Sequence, residues 1–306
     1  MAKVYKADEA FRCGVLSGAS CAFGVFDGVH RGHQFLIGAA KDAARETGGA
    51  SVALTFDIDP DERFHADRLK KLMSNERRIE ALANSGVDAV VVLPFTPRFA
   101  AQTPDAFMDA TFGGAAPATL HVGTDFRFGA HAAGDVDDLR AWAAAKGTRI
   151  CAHDLKSVDG LPITATRIRM LLAEGRIEPA LELLGHSYVF EGTVAPGRGA
   201  GADMGFATAN ITLPAMMRAL GEAVYAAYAH VDGVRYKAAM SMGPAPTFAD
   251  ARATCEVHIL DFSGDIYGDT IEVEPVHWLR PMIKFDSVDE LIATVKGNIA
   301  WVRENL

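Results

Sequence analysis

Apolar residues follow two different rhythms along this 306-residue chain. In the first half, short apolar runs alternate with segments whose apolar positions repeat at helical spacing. Ser20–Phe26 reads as a strand and Gly32–Thr47 as a helix, with a second strand over Ser51–Phe56 and a helical stretch over Ser74–Ser85. Ala89–Leu93 runs Ala-Val-Val-Val-Leu without polar alternation, as expected of a strand buried on both faces. Thr119–Gly123 and Arg149–His153 continue the series, and helices over Thr166–Gly175 and Glu178–Leu184 close it. Strand, helix, strand in this order implies a parallel sheet with right-handed crossovers.

Gly185 reads as a helix terminator, and after it the pattern changes. Tyr188–Val194, Ala223–Val231, Tyr236–Met242, Thr254–Leu260 and Thr270–Val276 read as strands punctuated by Gly, Pro and Asp. That spacing suggests an antiparallel barrel. In the tail, Leu291, Ile292, Val295, Ile299 and Val302 form the apolar face of a helix over Val288–Arg303, expected to pack on the barrel. The expected fold class is α/β plus β. Residues 1–184 form a domain with a Rossmann-like parallel sheet, and residues 185–306 a β-barrel domain with a C-terminal helix.

Composition adds limits. Hydrophobic residues make up 49% of the chain, ample for two cores and inconsistent with disorder. A formal net charge of −9 argues against non-specific nucleic-acid binding, which needs a basic face to displace counterions. It leaves a small anionic substrate open. Cys13, Cys21, Cys151 and Cys255 have no metal or redox spacing and read as free thiols. With no apolar leader and no run of about 20 apolar residues, no membrane partner is expected and the chain is expected to be cytoplasmic.

The chemistry concentrates in Phe23-Gly-Val-Phe-Asp-Gly-Val-His-Arg-Gly-His33, a strand running through a glycine-punctuated turn into a helix. Gly24, Gly28 and Gly32 allow close backbone approach to a ligand, and a helix N-terminus offers N–H groups to phosphate. His30 and His33 flank that position. Taken alone, the pair reads equally well as metal ligands or as surface residues. Two further loops favour phosphate chemistry: Gly123–Gly129 follows an apolar strand, and Thr164, Thr166, Arg167 and Arg169 open a helix with hydroxyls and guanidinium groups suited to phosphate. Loops converging at the carboxyl edge of a parallel sheet are where α/β enzymes bind ligands.

The whole chain resembles the prokaryotic bifunctional riboflavin kinase/FAD synthetase family. Its adenylyltransferase motif F-D-G-V-H-x-G-H appears as Phe26-Asp27-Gly28-Val29-His30-Arg31-Gly32-His33, its G-x-D-F-x-F-G as Gly123–Gly129, and its I-S-S-T-R-I-R as Ile163–Arg169. Leu93–Ala100 matches another family segment. The resemblance implies transfer of AMP from ATP to FMN, giving FAD, with His30 and His33 stabilising charge at the α-phosphate. It implies nucleotide and phosphate contacts from Gly24, Phe26, Asp27, Gly28, Gly32, Thr164, Thr166, Arg167, Arg169 and, in the barrel, Gly205. Flavin contacts are implied for Phe56, Asp59, Asp125, Phe126 and Phe128. Departures are Ile58 and Asp59 in place of a proline and a histidine, Ala132 for an arginine and Ala165 for a serine.

In the barrel half, Gly205-Phe-Ala-Thr-Ala-Asn210 follows the glycine-rich stretch Pro196–Met204. Thr208 and Asn210 sit two apart and face one side of an extended segment, offering hard oxygen donors that suit Mg²⁺. On their own they read as a turn, and Glu256 reads as a solvent-facing strand residue. By the resemblance, Thr208 and Asn210 hold Mg²⁺ and Glu256 is the base of a riboflavin kinase. Here Ala202, Ala207, Ser241, Ala245 and Met282 replace family residues. Two alternatives stay open: a monofunctional FAD synthetase with an inactive or repurposed barrel, or a flavin- or nucleotide-binding protein. A nucleotidyltransferase for another phosphorylated metabolite is a variant of the first activity.

Overall fold

The structure is a computed structural model that describes residues 1–197, 205–243 and 254–306. Its first strands and helices are β1 (Lys3–Lys6), α1 (Ala7–Cys13), β2 (Ser20–Phe23), α2 (Arg31–Thr47), β3 (Ser51–Phe56), α3 (Pro60–Phe64), α4 (Asn75–Ala83) and β4 (Ala89–Leu93). There follow α5 (Pro97–Ala100), α6 (Pro104–Phe112), β5 (Thr119–Gly123), α7 (Val136–Ala144), β6 (Arg149–His153), β7 (Ser157–Val158), β8 (Leu161–Pro162), α8 (Ala165–Ala173) and α9 (Ile177–Leu184). The remainder is β9 (Phe190–Ala195), β10 (Ala209–Thr212), β11 (Ala223–Val231), β12 (Val234–Gly243), β13 (Thr254–Ile259), β14 (Thr270–Pro281) and α10 (Val288–Asn305).

The chain divides into two compact units, Met1–Leu69 with Met73–Ala165, and Lys70–Leu72 with Thr166–Leu306. The short insert is bonded within its own unit. Lys71 N–H donates to Met216 O at 2.6 Å, and Arg218 N–H donates to Lys71 O at 2.9 Å.

In the first unit, six parallel strands lie in the order β1-β4-β3-β2-β5-β6, as the strand-helix alternation implied. Side chains alternate between two cores. Cys21, Phe23, Val52, Leu54, Val91 and Leu93 join one cluster, while Ala22, Ala53 and Val90 join the other. A strand apolar at every position is therefore apolar because both of its faces are covered.

The second unit is a closed antiparallel barrel ordered β10-β13-β12-β11-β14-β9. Period-two burial decides which side chains leave its interior. Cys255 and Val257 are buried while Glu256 and His258 between and beyond them are half-exposed, and Met240 and Met242 are buried on either side of Ser241. The expected C-terminal helix is present. Its Val302 packs with Ala226 and Leu260, supported by Ile299 and Leu306. Ser287 caps it by accepting from Glu290 N–H at 3.2 Å.

Strand and helix bounds differ from expectation by one to three residues at most ends, with β14 running on to Pro281. Asp135 begins α7 with a reciprocal cap to Asp138, as acidic residues at a helix start should.

Candidate active site

The strand order places a switch point at β2. Its neighbour β3 is reached through α2, while β5 lies on its other side. The loops leaving β2 and β5 therefore part in opposite directions, opening a crevice at the strands' carboxyl ends. A cleft of about 1210 Å³ lies there, lined by residues of the first unit that include Gly24, Phe26, His30, Gly32, His33 and Thr164.

Between β2 and α2 the backbone is left-handed at Phe26 (φ 60), Gly28 (φ 73) and Val29 (φ 36). A β-branched residue in that region is strained, so the surrounding packing must hold it. Phe26, Asp27, Gly28 and Val29 are all buried. The strain brings His30 to the N-cap of α2, where its Nδ1 accepts from His33 N–H at 3.4 Å. With Nδ1 accepting, the ring proton of His30 sits on Nε2. The His30 and His33 rings stack at 3.6 Å between centroids, 18° from parallel, and Phe26 meets His33 edge-on at 5.2 Å. Burial, reinforced by His30, holds the His33 imidazole well below its ordinary pKa, so it is neutral at physiological pH. His33 Nδ1 is shut away from solvent without a hydrogen-bond partner, leaving Nε2 for a ligand in the cleft.

Gly32 completes the turn by its size. A Cβ there would stand 3.1 Å from His30 Cε1 and Nδ1 and 3.4 Å from Ile163 O. Gly32→Ala should displace the His30 ring by a few tenths of an ångström and lower cleft chemistry about tenfold, since positioning errors of about 1 Å cost up to ~10². Steady-state turnover of the purified variant checks this.

The other side of the cleft is aromatic. Phe56 meets Phe23, Phe95, Phe99 and Phe107 at centroid distances of 5.5, 5.1, 6.1 and 6.3 Å, and Phe126 stacks on Phe128 at 5.6 Å. Asp125, Phe126 and Phe128 line the cleft from the loop after β5. Gly123 allows that loop to fold back, for a Cβ would fall 2.5 Å from Asp125 Oδ1.

Some expected site residues are not among those that line the cleft. Asp59 is buried and caps α3, accepting from Asp61 N–H at 2.9 Å while Glu62 accepts from its own N–H; the cleft is lined instead by its neighbours Pro60 and Asp61. Asp27 is buried, and its Oδ1 accepts from Met73 N–H at 3.3 Å. Thr166, Arg167 and Arg169 lie in α8, within the second unit.

Sequence reading passed over several cleft residues. Lys156 Nζ lies 3.9 Å above the Phe35 ring, and His153 meets that ring edge-on at 5.5 Å. His153 Nε2 is 3.0 Å from Nδ1 of His121, whose Nε2 is 3.0 Å from Thr119 Oγ1. The two histidines are 32 residues apart and meet only because β5 and β6 pair. Burial, with His153 and Arg149 nearby, pushes the pKa of His121 down to about 4. The unfolded chain takes up this proton near pH 6.5 and the folded chain does not, so stability is full above 6.5 and lost as pH falls toward 4. The loss should amount to no more than about 3 kcal/mol at 1.36 kcal/mol per pKa unit, and to less where solvent screens the ring. His121→Gln should shrink the stability difference between pH 7 and pH 4, as read by denaturant unfolding.

In the barrel, register assembles the second candidate site. Asn210 on β10 and Ser241 on β12 both stand directly opposite Glu256 on β13. Directly opposed residues share a face, so the three form a row outside the barrel interior, each half-exposed. Thr208 precedes β10 and is also half-exposed. Gly197 lies against the Asn210 amide so closely that a Cβ would come within 1.9 Å of Nδ2. Gly205 is left-handed at φ 86 and exposed. Ala207 lends its carbonyl to His258 Nδ1 at 2.8 Å. Ala202 and Ala245 lie outside the described residues.

Residues 14–167 match the family model described as FAD synthetase, and residues 184–306 match that described as riboflavin kinase. The bifunctional riboflavin kinase/FMN adenylyltransferase of Listeria monocytogenes is 36% identical over 285 residues, covering 90% of this chain and 88% of its own length. The chain belongs to this bifunctional riboflavin kinase/FMN adenylyltransferase family. The family member from Haemophilus influenzae is 34% identical, with 93% of each chain covered. A solved Streptococcus pneumoniae structure, described as a macrolide-efflux protein, is 29% identical at a TM-score of 0.80, with 94% of each chain covered. In this family member, no helix among the described residues is long and apolar enough to cross a membrane.

Proposed function

We propose that the cleft transfers AMP from ATP to FMN, yielding FAD and pyrophosphate, and that the barrel phosphorylates riboflavin with ATP to supply the FMN. The observation that carries the first activity is the stacked His30–His33 pair, set by a strained turn at the switch point and faced by an aromatic wall. In the reaction a phosphate oxygen of FMN attacks the α-phosphorus, the bond to the β-phosphate breaks and pyrophosphate leaves. Negative charge grows on the α-phosphate oxygens. Nε2–H groups of His30 and His33, already oriented and poorly hydrated, donate to that charge with little reorganisation. The chemistry needs no covalent intermediate and no proton transfer by His33, consistent with an imidazole held neutral. Phe56, Phe126 and Phe128 offer flat apolar surface for the isoalloxazine ring.

In the barrel, Glu256 would accept the proton of the riboflavin hydroxyl as it attacks the γ-phosphorus, with ADP leaving. Thr208 and Asn210 would hold Mg²⁺. Their hydroxyl and amide oxygens are hard donors, and Asn210 stands beside the carboxylate of Glu256 in register, so the donor set fits. When bound, Mg²⁺ offsets the charge of the nucleotide phosphates. We assign residues 1–184 to the first activity and 185–306 to the second.

Incubation with ATP and Mg²⁺, plus either riboflavin or FMN, followed by chromatography, tests both activities. FAD from both flavins supports the full proposal. FAD from FMN alone supports a silent barrel, which Ser241 opposite Glu256 and Met282 favour, since both replace residues with longer or charged polar groups in the family pattern. No FAD from either refutes the adenylyl-transfer reading.

A further inference from the structure

Strands β2 and β3 pair in register as far as Phe23 with Leu54, and Gly24 N–H makes a last bond to Leu54 O at 3.2 Å. Beyond that point the strands part. The chain after β2 turns into the left-handed segment that carries His30, while β3 continues to Phe56 at the centre of the aromatic wall. Parting strands leave carbonyls facing inward, and buried carbonyls need donors.

One side chain donates to carbonyls on both sides of the parting. Arg78 of α4 is only 2% exposed. Its Nη1 donates to Val25 O at 2.8 Å and to Thr55 Oγ1 at 2.6 Å; its Nη2 donates to Phe56 O at 2.9 Å and to Asn75 Oδ1 at 3.2 Å. Thr55 Oγ1 itself donates to Val25 O at 3.2 Å. Asn75 Nδ2 donates to Glu62 Oε1 at 2.8 Å, which also accepts from Asp59 N–H, so the network reaches the first turn of α3 and its cleft-lining residues. A buried guanidinium is costly unless balanced. Here Asp59, Asp27, Glu62 and Asp57 provide the opposing charge.

Three walls of the cleft thus hang on a single planar fork: the histidine turn through Val25, the aromatic wall through Phe56, and α3 through Asn75 and Glu62. We propose that Arg78 is a positioning residue for adenylyl transfer, fixing the separation of the histidine turn from the aromatic wall and so the alignment of the attacking FMN phosphate with the ATP α-phosphorus. This rests on the adenylyl-transfer reading above. An ammonium group lacks the geometry to bridge both carbonyls, so lysine preserves the charge and loses the fork.

The test is Arg78→Lys in the full chain, with FAD formation from FMN and ATP measured over both substrates. Thermal unfolding and riboflavin phosphorylation by the same sample serve as fold controls. The expected result is a fall in kcat of at least about tenfold with both KM values within about threefold of wild type, the signature of misalignment. Thr55→Val removes the hydroxyl between Arg78 and Val25 while keeping the guanidinium. It should show the same split at about threefold, and it carries the test alone if Arg78→Lys loses its cooperative unfolding transition. A purely structural Arg78 would lower the thermal midpoint and leave kcat per folded molecule unchanged, overturning the proposal. A rise in KM with kcat intact would overturn it too. Wild-type protein that makes no FAD would remove the reading beneath it, a result distinct from a loss confined to the variants.

Discussion

His33→Ala should lower kcat for FAD formation by about 10²–10³, the usual consequence of removing one preorganised donor from a developing oxyanion. KM for FMN should change little, because the aromatic wall is untouched. The fold should survive: the ring contributes no intramolecular hydrogen bond through Nδ1 and leaves the helix cap to the His33 backbone N–H, which alanine retains. A second signature separates this role from acid–base catalysis. Because the neutral imidazole persists well below pH 6.5, the rate should show no loss from His33 protonation between pH 7.5 and pH 6.5. A rate falling through pH 6.5 in the wild type and not in His33→Ala would refute the assignment, as would unchanged turnover in the variant.

Glu256→Gln should abolish riboflavin phosphorylation, with a loss of about 10²–10⁴, and spare FAD synthesis from supplied FMN. Glutamine keeps the size and the outward position between Asn210 and Ser241, so the barrel should unfold at an unchanged temperature. Only the basic oxygen is lost. Parallel assays of the two half-reactions on one preparation check this. If both activities fell together, the two-site picture would fail.

Much of this arrangement was legible in the residues, and the reasons are specific. Ala89–Leu93 announced a strand covered on both faces because no polar side chain interrupts it. The histidine turn was legible because glycines at 24, 28 and 32 have no purpose in a helix or strand. By contrast β1, Lys-Val-Tyr-Lys, has too few apolar positions to read as a strand; its pairing along the edge of β4 gives it that form. Arg78 was hidden because a charged residue in a helix ordinarily faces water. The only local hint is that it sits four residues before Leu82, on the stripe that is buried. Asp59, expected at the flavin, is committed to the cap of α3, a local hydrogen bond that an aspartate before Pro60 favours in its own right. Glu256, singled out in the sequence by the family resemblance alone, gains a structural reason only through barrel register, which brings Asn210 beside it from 46 residues earlier in the sequence. Non-local pairings of this kind leave no periodic mark.

The insert Lys70–Leu72 bears on how such a gene could be taken apart. Nested within the first unit's sequence, it gives a backbone donor and a backbone acceptor to the barrel unit at Met216 and Arg218. A barrel expressed from residue 185 onward would keep all six strands of the closed barrel but leave the Met216 carbonyl and the Arg218 amide to water. Splitting the gene at the natural-looking seam therefore leaves these two backbone bonds unmade in the barrel half. An excision that keeps both bonds would carry a short grafted peptide in place of Lys70–Leu72.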